Sequence, residues 1–366
     1  MHYIHQGKVV DNGIVIPGPV LTDTGEFIFH PEDDGRQIAD YTRGDFEWWY
    51  FDINDKASGC FLKIILHIGT DPLRTRVFPQ LAVSVTTPEK SENLYYFFSF
   101  SEMQADKHSC NISVSDKIKI RTEFNEHPVY FIEIEIPGFK CSFRFIGEID
   151  GWKPYGNKIV YQKGKRKGDF SWVIPMPGAR VEGEFYFENR KYVMTGAIGY
   201  HDHNCIKPDR KNPLYIDDLA NKWYWGKFHA DIYTVIFADV YSRINRTLSL
   251  MMAENNKIIH SSNNLINISV LASGYDNILK TKYPESISIK SLDDQFPFQA
   301  EIESDRILDR KDLLDGVNPV LKFLIRKLIA KPVYHGIIAK VRTLIHNNHI
   351  EGYGNFESMV FRRGKK

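Results

Sequence analysis

Along most of the chain, apolar and polar residues alternate with a period of two. "FIEIEI" (131–136) and "SFRFI" (142–146) alternate strictly, as strands do when one face is dry and the other wet. "EWWYFDI" (47–53) and "CFLKIILHI" (60–68) flank the polar "NDKASG", which reads as a hairpin loop. "QLAVSVTT" (80–87) and "NLYYFFSF" (93–100) repeat that arrangement around "PEKSE", and "ENRK" separates "RVEGEFYF" from "YVMTGAIGY" (192–200). Short strands with turn residues between them predict an all-β chain of antiparallel barrels or sandwiches. Alternation lapses over "HDHNCIKPDRKNP" (201–213) and resumes with "KWYWGKFHA" (222–230), "IYTVIFADVYS" (232–242) and "TLSLMMAE". A linker near 205–215 therefore divides the chain into β-rich domains at 1–205 and 206–366. One segment keeps a helical period. "VNPVLKFLIRKLIAK" (317–331) sets apolar residues at 317, 320, 321, 324, 325, 328 and 329, with Lys322, Arg326 and Lys327 opposite and Pro319 near the start. Such a helix either buries its stripe on a barrel or makes weak contact with a membrane surface. "HIEGYGNFESMVFRR" returns to strand, with Gly352 and Gly354 bracketing an expected bend.

Composition adds an apolar bias to this picture. Aromatics reach 13%, through 24 Phe and 19 Tyr, which suits pleated faces or an apolar cavity. The formal net charge of +1 supplies no general drive toward nucleic acid, and none is expected as a partner. The basic run "KGKRKGD" (163–169) reads as a solvated loop. Cys60, Cys110, Cys141 and Cys205 lack CxxC or other regular spacing, against a disulfide scaffold or zinc ribbon. The start "MHYIHQGKVV" lacks a signal-peptide pattern, and no window approaches the roughly 20 apolar residues of a membrane span. A soluble, cytoplasmic protein is the expectation.

The densest polar group is "GYHDHNC" (199–205). In a strand, His201 and His203 share one face and Asp202 and Asn204 the other. Two alternating histidines can begin a metal site, but no third ligand at a recognisable spacing accompanies them, so no metal is expected. An acid–base pair and a hydrogen-bonded cluster at a strand end both remain open readings. In "WYWGKFH", Trp223, Trp225 and Lys227 share a face. "VIFADV" holds Asp239 as a lone acid among apolar residues. Facing inward it would be a protonated donor; facing outward it is the polar member of an alternating strand. In "EWWYFDI", Glu47, Trp49 and Phe51 share one face and Trp48, Tyr50 and Asp52 the other, with Trp49 expected at a cavity and Glu47 in a structural hydrogen bond. No glycine-rich phosphate loop and no GxSxG elbow occurs.

"EWWYFD", "SWVIPMPGARVEGEF" (171–185), "GAIGYHDHN" (196–204), "WYWGKF" (223–228) and "GYGNFE" (352–357) occur in an order that resembles the carotenoid 1,2-hydratase family, also called hydroxyneurosporene synthase or AttH-like. The resemblance spans nearly the whole chain. It implies two lipocalin-like (calycin) β-barrels with an apolar pocket and neither organic cofactor nor metal. It implies a hydratase (lyase), or a Diels–Alderase-like cyclase, acting on a hydrophobic polyene, isoprenoid or polyketide; the alternative is a carrier of such a molecule. The family's "DHNW" box falls on Asp202, His203, Asn204 and Cys205, and its "Tyr-x-Asp" strand on Phe237, Ala238 and Asp239, so Trp has become Cys and Tyr has become Phe. On this resemblance Asp239 and His203 are the catalytic candidates. Trp49, Tyr200, Asn204, Trp223, Trp225 and Phe237 are the substrate-binding ones, and Glu47 and Asp202 are structural polar residues.

Overall fold

The computed structural model describes residues 9–10, 13–17, 29–71, 75–154, 159–163, 165–241, 246–263, 265–314, 319–328 and 332–361. The chain is almost entirely antiparallel β-structure and forms two compact units, Met1–Tyr215 and Ile216–Lys366. The division expected after residue 205 falls later, because the Arg190–Pro208 strand continues its pairing through Pro208. Beyond it, Asp209 accepts from the backbone N–H groups of Lys211 and Asn212 in a tight polar turn.

Both units follow the same wiring. In the first, the Phe46–Asp55 strand lies in mid-sheet. Cys60–Thr70, Val77–Thr86 and Ser91–Phe97 meander away from it on one side. The chain then re-enters at the far edge and works back through Ile118–Phe124, Pro128–Ile136, Phe139–Gly147 and Arg166–Phe187. Finally Arg190–Pro208 pairs with Phe46–Asp55. In the second, Lys222–Ala230 takes the middle place, and Asn348–Val360 is the last strand that returns to it. Hairpins turn on residue pairs with positive φ, Glu188–Asn189 in the first unit and Asn255–Asn256 and His346–Asn347 in the second, the backbone that tight antiparallel turns demand. The run expected as a basic loop supplies a hairpin turn between Ile159–Lys163 and Arg166–Phe187; Gly164 lies outside the described residues.

Alternation converts directly into burial. Phe139–Gly147 places Phe139, Cys141, Phe143 and Phe145 inside and Lys140, Ser142 and Arg144 outside. The first core gathers Trp49, Phe51, Tyr130, Phe145 and Phe185; the second gathers Phe228, Val235, Phe237, Ile289 and Phe356. Two motif glycines are explained by crowding. A Cβ on Gly199 would meet Val181 and Phe145 at 2.4 and 2.8 Å, and one on Gly354 would meet the Lys227 carbonyl at 2.1 Å. The bend expected at Gly352 and Gly354 is absent. Both sit within the continuous Asn348–Val360 strand, where their missing side chains admit the neighbouring Lys222–Ala230 backbone.

The helix occupies Pro319–Leu328. Its remaining expected positions, 317–318 and 329–331, lie outside the described residues. Lys322 pairs with Asp312 at 2.7 Å and Arg326 also reaches Asp312, while Leu324, expected in the buried stripe, is exposed, as is Phe323. Among the described residues, no helix is long and apolar enough to cross a membrane.

Candidate functional site

The sheet of the first unit is buried on both faces where "EWWYFDI" pairs with "GYHDHNC". The register sets Trp49 opposite His203, Phe51 opposite His201, Tyr50 opposite Asp202 and Asp52 opposite Tyr200. The two faces carry different chemistry.

The inward face holds a charged network. His203 directs Nε2 at the Glu47 carboxylate (2.9 Å) and Nδ1 at the Asp33 carbonyl (3.2 Å). Both partners are acceptors, so both ring nitrogens carry hydrogen and the ring is an imidazolium. Burial opposes that charge, but the hydrogen bond and charge of Glu47, with Asp34, hold the His203 pKa above its ordinary value. Glu47 also accepts from the Tyr41 hydroxyl (2.7 Å) and the Gln37 backbone N–H (2.7 Å). Trp49 is wholly buried. Its ring stacks on His203 at 4.7 Å, and its Nε1–H donates to the Asp34 carbonyl (2.9 Å).

Beside this pair, His201 lies flat on Phe51 at 3.9 Å and directs Nδ1 at the Tyr50 carbonyl (2.9 Å), which fixes a hydrogen there. Its Nε2 meets both Asp34 oxygens at 3.0 and 3.1 Å, so the two groups share a proton. Tyr130 donates to Asp34 at 2.6 Å, and burial followed by the Asp34 charge pushes that phenol pKa up. Asp34, Cys110 and His201 form the metal-type donor set among the described residues, with ligand atoms within 4.8 Å of one another. Asp34 and His201 already satisfy each other, and burial first and Asp34 second raise the Cys110 pKa, which keeps the sulfur a poor ligand as it stands. The Asp33, Asp34 and Gln37 contributions come from a segment without periodicity, which strand patterns could not reveal.

The outward face holds tyrosines and acids. Tyr200 donates its hydroxyl to Asp202 (2.9 Å), and Tyr50 donates to Asp52 (3.1 Å). Asp202 also accepts from Asn204 Nδ2 (2.8 Å) and Trp172 Nε1 (3.2 Å). The Tyr50 and Tyr200 rings are 6.1 Å apart, edge to face, and Lys63 lies opposite Asp52 on the next strand. All of these residues are buried. A signal for the group was present in the sequence. Tyr-x-Asp occurs intact at Tyr50–Asp52 and again at Tyr200–Asp202, and antiparallel pairing sets each tyrosine opposite the other strand's acid.

The second unit separates its candidates in the same way. Phe237 is core, and Asp239 points inward beside it without being alone. Arg246 grips it bidentately, Nε to Oδ1 and Nη2 to Oδ2 at 2.8 Å each. The acid expected to stand alone thus has a cationic partner. Tyr224 and Tyr241 flank the pair, their phenol pKa values raised by burial first and Asp239 next. Arg246 and Lys222 sit over the Tyr241 ring at 4.8 and 4.0 Å. On the opposite face, Trp223 packs edge-on against Phe361 at 5.4 Å, and Trp225 and Lys227 are buried beside Glu357 and Asn355.

No protein-family model matches the sequence. Hydroxyneurosporene dehydrogenase of Chlorobaculum tepidum is 24% identical over 225 residues, which are 53% of this chain and 57% of that protein; the chain thus spans little more than half of this relative. Three solved structures share the fold along the chain. CghA superposes with a TM-score of 0.61 at 11% identity, covering 96% of both chains. A putative AttH from Nitrosomonas europaea gives 0.60 at 12%, covering 94% of this chain and 98% of its own. Kievitone hydratase from Nectria haematococca gives 0.50 at 14%, covering 91% and 98%. The chain thus shares the lipocalin-like fold of these structures.

Proposed function

We propose that this chain is a hydratase or cyclase acting on a hydrophobic polyene, isoprenoid or polyketide-type molecule, and that the two Tyr–Asp pairs of the first unit form its reacting surface. The observation that carries the reading is the pairing of Tyr50, Asp52, Tyr200 and Asp202 on a buried face outside the hydrophobic core. A core needs no such residues, since buried polar groups cost free energy unless satisfied. Three neutral donors, the Tyr200 hydroxyl, Asn204 Nδ2 and Trp172 Nε1, orient the Asp202 carboxylate and with it its negative charge. Such a charge is oriented in advance for a positive centre developing on a substrate, and it costs no reorganisation when that centre forms. The aromatic rings beside it add cation–π attraction of about 0.5–2 kcal/mol.

In either reaction one carboxyl of the group, protonated at the start, gives its proton to one carbon of a substrate double bond. In a hydration, water adds to the cationic carbon so formed and returns a proton to that carboxylate. In a cyclisation, a carbon–carbon double bond of the polyene closes the ring, and the same carboxylate takes the proton lost at the end. His203 acts from beneath, as the imidazolium that fixes Glu47 and Trp49 and so the register of the reacting strands. The name of one structural neighbour, kievitone hydratase, supports the hydratase reading, while that of the sequence relative, hydroxyneurosporene dehydrogenase, supports the polyene class of substrate rather than hydration.

Purified protein incubated with neurosporene, or separately with kievitone, is expected to yield a product heavier by one water or an isomer of altered retention on liquid chromatography–mass spectrometry. Asp202→Asn should lower that yield at least about tenfold while the protein still retains the ligand. Ligands recovered intact from the wild-type chain, though tightly held, would instead make it a carrier.

A further inference from the structure

The second unit carries an apolar, basic end that no part of the proposed chemistry uses. Two segments meet there. The Ile266–Asp276 strand turns into Thr281–Ser291 through residues 277–280, and the Pro319–Leu328 helix follows the Phe298–Asp312 strand. Their neighbourhood is fixed by two ion pairs from that last strand. Arg310 donates to Asp276 at the turn (3.1 Å), and Asp312, two residues on, binds Lys322 and Arg326 of the helix. His335 completes the anchorage, with its Nε2 on Asp276 at 3.0 Å.

Side chains at this end stand outward against their polarity. Ile278 is 72% exposed, Phe323 62%, Tyr275 57% and Leu324 44%. Solitary exposed apolar residues are ordinary, but four large ones on two segments tied by ion pairs to one strand end make an apolar end of the kind that marks an interaction surface. At the turn and on the helix the exposed charges are lysines, with Glu285 exposed farther along the Thr281–Ser291 strand. Lys280, Lys282 and Lys327 are exposed on the same two segments, and Lys327 lies over the Phe323 ring at 5.9 Å. The nearby acids Asp276 and Asp312 are buried and committed to Arg310, His335, Lys322 and Arg326. Aromatic and aliphatic tips rimmed by lysines, with the acids withdrawn, match the boundary between acyl chains and anionic headgroups.

We infer that this end docks the protein on an anionic bilayer surface, with Ile278, Phe323 and Leu324 entering the acyl boundary and Lys280, Lys282 and Lys327 at the headgroups. The inference rests on the second unit alone and holds whether or not the first unit is an enzyme. It gives a protein with an apolar ligand a direct contact with the phase into which such ligands partition.

Flotation of the full chain with unilamellar vesicles tests it. With phosphatidylcholine and phosphatidylserine at about seven to three, the protein should float with the vesicles, and it should stay below with phosphatidylcholine alone. Raising the salt toward 0.5 M should release it, because the headgroup attraction is screened. Lys280→Glu with Lys327→Glu should weaken binding at least about tenfold, as should Phe323→Ser with Ile278→Ser. All four positions are exposed, and unchanged circular dichroism and melting would confirm that the variants fold. Failure to float with anionic vesicles overturns the inference, as does flotation indifferent to both double variants. Concentration-dependent dimerisation abolished by Phe323→Ser and Ile278→Ser, without vesicle binding, would assign the patch to a second copy of this chain and overturn it equally.

Discussion

Each unit sets a carboxylate-to-cation pair against its apolar core: Glu47 with His203 in the first, Asp239 with Arg246 in the second. The two look alike in kind and differ in partner. His203 can lose its proton, and Glu47 depends on it together with Tyr41 and the Gln37 N–H. Arg246 keeps its proton at any working pH and reaches Asp239 from a third-exposed position. One pair is a closed internal joint that titrates; the other is a clamp between core and surface that does not. A buried acid is therefore not defined by its burial or by the strand motif around it. Its neighbour decides whether it gives a proton, holds a charge or holds a strand in place.

The comparison predicts unequal costs. Glu47→Ala strands a buried imidazolium and removes the acceptor of Tyr41 and Gln37, so it should destabilise the first unit by about 3–5 kcal/mol in urea denaturation. Arg246→Met leaves Asp239 unpaired but nearer to water, and about 2–3 kcal/mol is expected. Equal losses would erase the distinction. Cys205→Trp, which installs the residue that the resembled motif carries, should itself cost about 1–3 kcal/mol, because Cys205 is buried opposite Glu47 with no room made for an indole. A neutral or stabilising result would mean that the strand can shift to admit it.

The smallest effect is the slope with pH. The His203 pKa is raised in the folded state above its ordinary 6.5. The stability it brings is thus fully present below about pH 6.5 and fades as pH rises through the folded value. Melting measured from pH 6 upward should show this decline in the wild type. It should flatten in Glu47→Gln, whereas Arg246→Met should keep it.

Much of the architecture was legible because strands advertise themselves by alternation. The hairpins around 54–59 and 188–191, the shared face of His201 and His203, and the helix near 320 all follow from periods of two and 3.6. Partnership across the fold was not legible. Asp34 is 167 positions from His201, and Arg246 reaches Asp239 from the next strand, so neither meeting leaves a local pattern. The surroundings of Trp49 were not legible for a related reason. Its face was correctly grouped with Glu47, but alternation alone cannot tell which face of a doubly buried strand is the core. Tyr50–Asp52 and Tyr200–Asp202 carried a legible repeat whose meaning depended on antiparallel register, and register between strands so far apart in sequence needs the fold.

That separation also bears on how the protein assembles. The Phe46–Asp55 strand forms its local hairpin with Cys60–Thr70 early in the chain, but its other neighbour is the last strand of the unit, Arg190–Pro208. Closing a loop of that length is entropically costly and slow, so non-local pairings of this sort retard folding. The Tyr50–Asp202 and Asp52–Tyr200 partners therefore meet only when this final seam closes. A nascent chain can hold most of its β-structure while these Tyr–Asp partners have not yet met, and any unzipping that begins at the seam separates them before the cores are lost.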